Sequence, residues 1–210
     1  MSLYNPRHFA TTDGQAIRRV LTEYGFATLI TSTQNEVVVS HVPVLFEPDS
    51  GAHGSVIGHV ARANPHAAAL AQGASFLVFQ GPFGYVSPTW YTDPAGSVPT
   101  WNYVAMHVHG NVESRDDMQD KRAIVDALAA RHEAMFPVRW TSAKMDASLL
   151  EKMLGAIVGF RMVVERIDAK FKLSQNRSSE DRAGVIAGLK GHTSSAADNL
   201  AAWMQDYAKP

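Results

Sequence analysis

The chain has 210 residues, 46% hydrophobic and 19% charged, a balance that belongs to a folded globular protein and excludes a disordered one. Lys+Arg 19 against Asp+Glu 20 gives a formal net charge of −1, so the basic excess with which proteins grip nucleic-acid phosphates is missing, and DNA is a partner that charge does not support. The absence of cysteine excludes disulfides, thiolate nucleophiles and Cys-ligated zinc, and no apolar run is long enough for a bilayer, so a cytoplasmic protein without a membrane partner is expected.

Residues 5–9 carry no clear pattern. Thr12 with Gln15 forms a capping-box signal, and Ile17, Val20, Leu21 and Tyr24 follow helical spacing to a stop at Gly25. The period then changes to that of strands over 26–33 and 36–46, joined by a turn at Gln34-Asn35. A turn-rich loop over 48–54 leads into a third strand over 55–61. Asn64 at N-cap and Pro65 at the next position then open a short helix to about Ala71. Residues 75–80 form an apolar strand. The block over 81–99 is rich in Gly, Pro and aromatic rings, with a strand expected near 85–91 and a loop at 93–97.

A strand over 100–113 precedes a helix capped by Ser114 and Asp117, with Met118, Val125 and Leu128 in its apolar stripe, reaching about Met135. Asp146 opens another helix carrying Leu149, Leu150, Met153 and Leu154. A long strand region over 158–173 follows, bent near Asp168. Ser178 and Asp181 cap a helix ending near Gly191. The last helix is striped by Leu200, Trp203, Met204 and Tyr207, and that stripe needs a surface to pack on, in this chain or in a partner subunit. The order argues against βαβ alternation and for an antiparallel α+β barrel with peripheral helices, divided into a domain over 1–190 and a helical extension over 191–210.

Five blocks are candidates for chemistry. Gly58-His59-Val60-Ala61-Arg62-Ala63-Asn64-Pro65-His66 delivers His59 and Arg62 to a helix start at Asn64, where free N–H groups and a forked cation suit a phosphomonoester. On the residues alone, an ordinary helix start beside a solvated arginine is the plainer reading. Ser40-His41-Val42-Pro43 places a proline in an apolar strand, which marks an edge or a bulge of the kind that flanks ligand sites. His107-Val108-His109 with Glu113 has metal-ligand spacing, but the second half of such a site is missing, so no metal is expected. Trp101 and Asn102 belong to an aromatic block suited to a planar cofactor or a subunit interface. Lys172, Gln175 and Asn176 join a cation to two amides, suited to a phosphate or a carbonyl-rich ring, or to a capped turn.

Taken together these blocks resemble the PaiB-type family of FMN-binding negative transcriptional regulators. The resemblance rests on Tyr4-Asn5-Pro6-Arg7-His8-Phe9, the Gly58 to Pro65 block, Gln80-Gly81-Pro82, Tyr85 through Tyr91, Val98-Pro99-Thr100-Trp101-Asn102-Tyr103 and Lys170-Phe171-Lys172-Leu173-Ser174-Gln175-Asn176. It runs from about Tyr4 to Leu189. It implies a split β-barrel like that of pyridoxamine-phosphate oxidase, a homodimer, and FMN near the subunit interface. It also implies repression of genes, those for sporulation and degradative enzymes in the founding member. The resemblance makes Arg62 the phosphate ligand, with Asn64 and His59 beside it, Ser40, His41 and Val42 at the flavin ring, Trp101 and Asn102 from the other subunit, and Lys172 and Gln175 as further cofactor contacts. No recognisable helix-turn-helix is present, so repression can be indirect, through sensing of flavin, redox state or a small molecule. The alternative is a flavin-dependent oxidoreductase, such as a flavin reductase, or a haem-handling protein. No residue stands out as a general acid or base, so whether the chain is an enzyme stays open.

Overall fold

The computed structural model describes residues 3–192 and 194–207; the remainder of the two expected domain ranges (1–2, 193 and 208–210) lies outside the described residues. In chain order the elements are β1 (Ala10–Thr11), α1 (Gly14–Glu23), β2 (Phe26–Ser32), β3 (Val37–Glu47), β4 (Ser55–Ala61), α2 (His66–Ala69) and β5 (Ala74–Val86). They continue as β6 (Thr100–Arg115), α3 (Met118–Glu133), α4 (Ala147–Gly155), β7 (Ile157–Lys172), α5 (Ser179–Lys190) and α6 (Ser195–Asp206). The strands pair in the order β1-β7-β4-β3-β2-β5-β6, and β7 also pairs with β6, so the ladder closes on itself. This is the antiparallel α+β barrel expected from the sequence. The chain divides into two compact units, the first from the described residues of Met1–Val20, Gln80–Met106 and Asp168–Pro210, the second from Leu21–Phe79 and His107–Ile167.

In the second unit the β2–β3 hairpin is set by alternation. Ala27, Leu29 and Thr31 face inward opposite Val42, Ser40 and Val38. Thr33 closes its turn, its hydroxyl accepting from the Asn35 and Glu36 N–H groups at 3.3 and 3.1 Å. Over this sheet lies α3, capped by Asp117, whose side chain accepts from Asp120 N. Its buried residues are Lys121, Ile124 and Leu128, with Ile124 and Leu128 packed on Ile57. This corrects the expected stripe: Met118 in the first turn is exposed, and the buried line begins instead at Lys121. A lysine escapes a hydrophobic reading because its aliphatic stem can be buried while its ammonium is held by a carboxylate. In α4 the Asp146 cap accepts from Ser148 and Leu149 N–H, as expected.

In the first unit β1 pairs with the end of β7, Ala10 opposite Lys170. The cap of α1 comes from Asp13, which accepts from Gln15 N at 2.9 Å and Ala16 N at 3.2 Å, and not from the expected Thr12. A carboxylate at that position also complements the positive helix end. Strand β5 runs on to Val86, past the end expected at Gln80, and a 3-10 turn at Pro88–Trp90 replaces the strand expected near 85–91. Gly81 allows this: a Cβ there would lie 2.9 Å from Val104 Cβ, so the glycine is needed for close strand approach and is no break. Ser178 caps α5 as expected, accepting from Asp181 N at 3.1 Å. The stripe of α6 packs within its own chain: Trp203 meets Phe171 edge-on at 5.6 Å, and Arg19 lies 4.1 Å over the Trp203 ring.

Candidate functional site

The junction after β4 is built around buried polar contacts. Asn64 Oδ1 accepts from His66 N at 2.9 Å, and Asn64 Nδ2 donates to Ser40 Oγ at 3.0 Å. His66, with no exposed surface, bridges two hydroxyls: Nδ1 meets Ser40 Oγ at 2.9 Å and Nε2 meets Thr31 Oγ1 at 2.8 Å. Thr31 continues the chain to Ser75 Oγ at 2.7 Å. Burial pushes the His66 pKa down, so the ring is neutral near pH 7, with either nitrogen able to donate while the other accepts. Residues from β2, β3, β5 and the start of α2 are thereby tied into one line. Helix α2 ends at Ala69, earlier than expected, and its first N–H groups are used locally, His66 N by Asn64 Oδ1 and Ala67 N by Asn64 O.

Arg62 is engaged in the same unit. Its Nε donates to Gly155 O at 2.7 Å and Nη2 to Ile157 O at 2.9 Å, while Nη1 and Nη2 grip both oxygens of Asp116 at 3.0 and 2.5 Å. Four of the five guanidinium N–H groups are therefore committed. Asp116 also accepts from the buried Lys121 Nζ at 3.1 Å. Arg62 first, and Lys121 with it, hold the Asp116 carboxyl down to about 2. His59 on β4 is part-buried, its Nδ1 has no hydrogen-bond partner among the described residues, and burial lowers its pKa. Val42 is buried beside Ser40, whereas His41 is exposed on the opposite face, 6.4 Å from Phe26.

That outer face is mixed, with His41, Thr28 and Ser32 alternating with apolar residues. Val37 and Val39 are exposed on it, and Val39 lies opposite Ile30, which lies opposite Phe76. The Phe76 ring stacks on His109 at 5.6 Å and tilts against His107 at 5.9 Å. Among the described residues no three His, Asp or Glu side chains are placed to hold a metal ion.

The first unit brings together a second set. Lys172 Nζ donates to Trp101 O at 2.7 Å and to Thr100 Oγ1. Trp101 is 51% exposed and meets Tyr85 edge-on at 6.0 Å and Phe83 at 6.3 Å. Asn102, in contrast, is buried and donates to Ser174 Oγ at 2.9 Å. Gln175 braces the end of β7, its Oε1 accepting from Leu173 N at 2.7 Å while its Nε2 donates to Phe171 O. Lys170, which the sequence reading passed over, is buried with its Nζ on Tyr4 O at 2.9 Å.

In the first unit, exposed aromatic rings beside lysine ammoniums are a set that fits a phosphate-bearing molecule with a planar ring, whereas the hydroxyl–amide–imidazole line of the second unit is bonded within itself. Comparison with known proteins leads the same way. The family described as "Putative FMN-binding domain" matches residues 3–166. The chain belongs to that family. It is 34% identical over 210 residues to the Bacillus subtilis protease synthase and sporulation protein PAI 2, covering 99% of each chain, which bears out the PaiB-type resemblance. Among solved structures it is similar to the FAD and heme binding protein of Mycobacterium smegmatis (TM-score 0.61, 18% identity, 83% of this chain and 78% of that one). It is also similar to the flavocytochrome of Azotobacter vinelandii (TM-score 0.58, 17% identity, 85% and 77%). At these identities the likeness establishes the split-barrel fold.

The sequence reading missed His66, Thr31 and Asp116. His66 stands inside the block singled out for Arg62 and Asn64, but its partners are 35 and 26 residues away. Lys170 had one available signal: strand alternation puts it on the same face as Lys172.

Proposed function

We propose that this chain binds FMN, acts as a homodimer and serves as a negative regulator of transcription of the PaiB type. The observation that carries the reading is the 34% identity to the Bacillus subtilis protein across nearly the whole of both chains, together with the FMN-binding family match. A flavin supplies reversible electron-transfer chemistry when bound, and the protein supplies position and electrostatics. Ser40, Asn64 and His66 form a neutral hydrogen-bonding line, and Trp101 with Lys172 presents a ring and a cation. The homodimer reading is supported by Val37 and Val39, two apolar side chains exposed on one face of β3, since exposed apolar surface marks association. A net charge of −1 favours repression without a strong electrostatic grip on DNA.

The test is retention of flavin after desalting, with the mass in solution measured on the same sample. A flavin absorption band co-eluting with a species of twice the chain mass supports the reading. Protein that emerges colourless after incubation with excess FMN, or a monomer at all concentrations, counts against the corresponding part. DNA binding measured as a function of salt separates direct from indirect repression.

A further inference from the structure

Lys170 and Lys172 stand two residues apart on β7 and project from one face of the strand. Lys170 is only 6% exposed, with its ammonium 5.0 Å from the Tyr4 ring centre and 5.3 Å from that of Tyr103. The Lys172 ammonium lies 5.9 Å from the Phe9 ring centre. Among the described residues neither lysine forms an ion pair with a carboxylate. Lysine is almost never buried without a paired acid, and two adjacent ammoniums repel one another. Burial first, and the Lys170 charge second, lower the Lys172 pKa. Ring faces and carbonyl oxygens offset part of this cost.

The donor count leaves the pair incomplete. Lys170 spends one N–H on Tyr4 O, and Lys172 spends two on Trp101 O and Thr100 Oγ1, so among the described residues three of the six have no acceptor. Three donors carrying two positive charges match a phosphomonoester dianion, and the exposed Trp101 ring follows directly in sequence from Thr100 beside them. Arg62, with four of its five N–H groups committed within the protein, has far less to offer an incoming phosphate.

We propose that the Lys170–Lys172 pair anchors the FMN phosphate and so selects FMN over flavins that lack it. This rests on the flavin reading above. The test is a set of equilibrium titrations with FMN and with riboflavin, using wild type, Lys172→Met, Lys172→Arg and Arg62→Ala. Lys172 is the chosen position because, unlike Lys170, it is half-exposed, and a thermal melt confirms folding. Wild type is expected to favour FMN by about a hundredfold, the scale of two charge-assisted contacts. Lys172→Met is expected to bring that preference down at least about tenfold, with riboflavin affinity held within about threefold. Lys172→Arg and Arg62→Ala are expected to keep the preference, and inorganic phosphate to compete with FMN but not with riboflavin. An unchanged preference in Lys172→Met, or its loss in Arg62→Ala, overturns the assignment and leaves the flavin reading standing. Wild type that binds neither flavin overturns both.

Discussion

Replacing His66 by alanine removes a ring that joins Ser40 to Thr31 in the interior of the second unit. Each hydrogen bond is worth about 1 kcal/mol net, and emptying a buried ring position adds about 2 kcal/mol or more for lost packing. Ser40 keeps Asn64 and Thr31 keeps Ser75, so neither hydroxyl is left wholly without a partner. The expected loss is therefore about 3–4 kcal/mol, short of the largest core truncations. His66→Asn places an amide where Nδ1 sits, and His66→Gln places one where Nε2 sits, so each is expected to recover roughly half. Urea unfolding near pH 7.5 reads these values through the midpoint at constant slope. A loss below about 1 kcal/mol for His66→Ala, or equal losses in all three variants, refutes the bridging role.

Acid sensitivity follows from the same ring. His66 has its pKa lowered from 6.5 by burial, so the unfolded chain binds the proton first, and stability is expected to fall as pH drops below about 6.5. The His59 pKa moves the same way, so a His59→Gln, His66→Gln pair should flatten the slope between pH 5 and 7 that either single variant only reduces. Asp116, held at about 2, contributes stability that is present above its ordinary 3.8 and disappears as pH falls through about 2. Asp116→Asn should abolish that acid transition and also weaken the protein at neutral pH by stranding the buried Lys121; Lys121→Met in the same chain should restore part of the loss in a thermal melt. Gly188→Ala should destabilise by about 1–3 kcal/mol despite alanine's better helix propensity, because its Cβ would lie 2.3 Å from Trp90 Cδ2, and Trp90→Ala should remove the penalty. Val39→Glu, on the exposed face of β3, should shift sedimentation towards monomer without lowering the melting temperature.

Much of the fold is legible because local chemistry and tertiary structure agree. The bounds of β4 follow from turn residues on both sides, and Asp146 and Ser178 mark helix starts by their capping contacts. The readings that failed did so where a distant partner decides. Gly81-Pro82 looks like a strand end until Val104 is placed beside Gly81. Met118 looks like the start of the buried stripe of α3 until Asp116 is seen to hold the ammonium of Lys121, which takes the buried place. The candidate site divides similarly. Ser40 and Asn64 are picked out by their blocks and do meet, whereas Arg62 signals a cation but not that Asp116, 54 residues on, occupies it. The special status of Lys170 is that it is buried and, among the described residues, makes no ion pair, and no local pattern records that.

The flavin claim is tested most directly by titrating FMN into the purified chain and following flavin fluorescence to saturation. Saturable binding at one flavin per chain, with a dissociation constant of about a micromolar or tighter, is the expected result. A linear, non-saturating response up to about a millimolar FMN contradicts it.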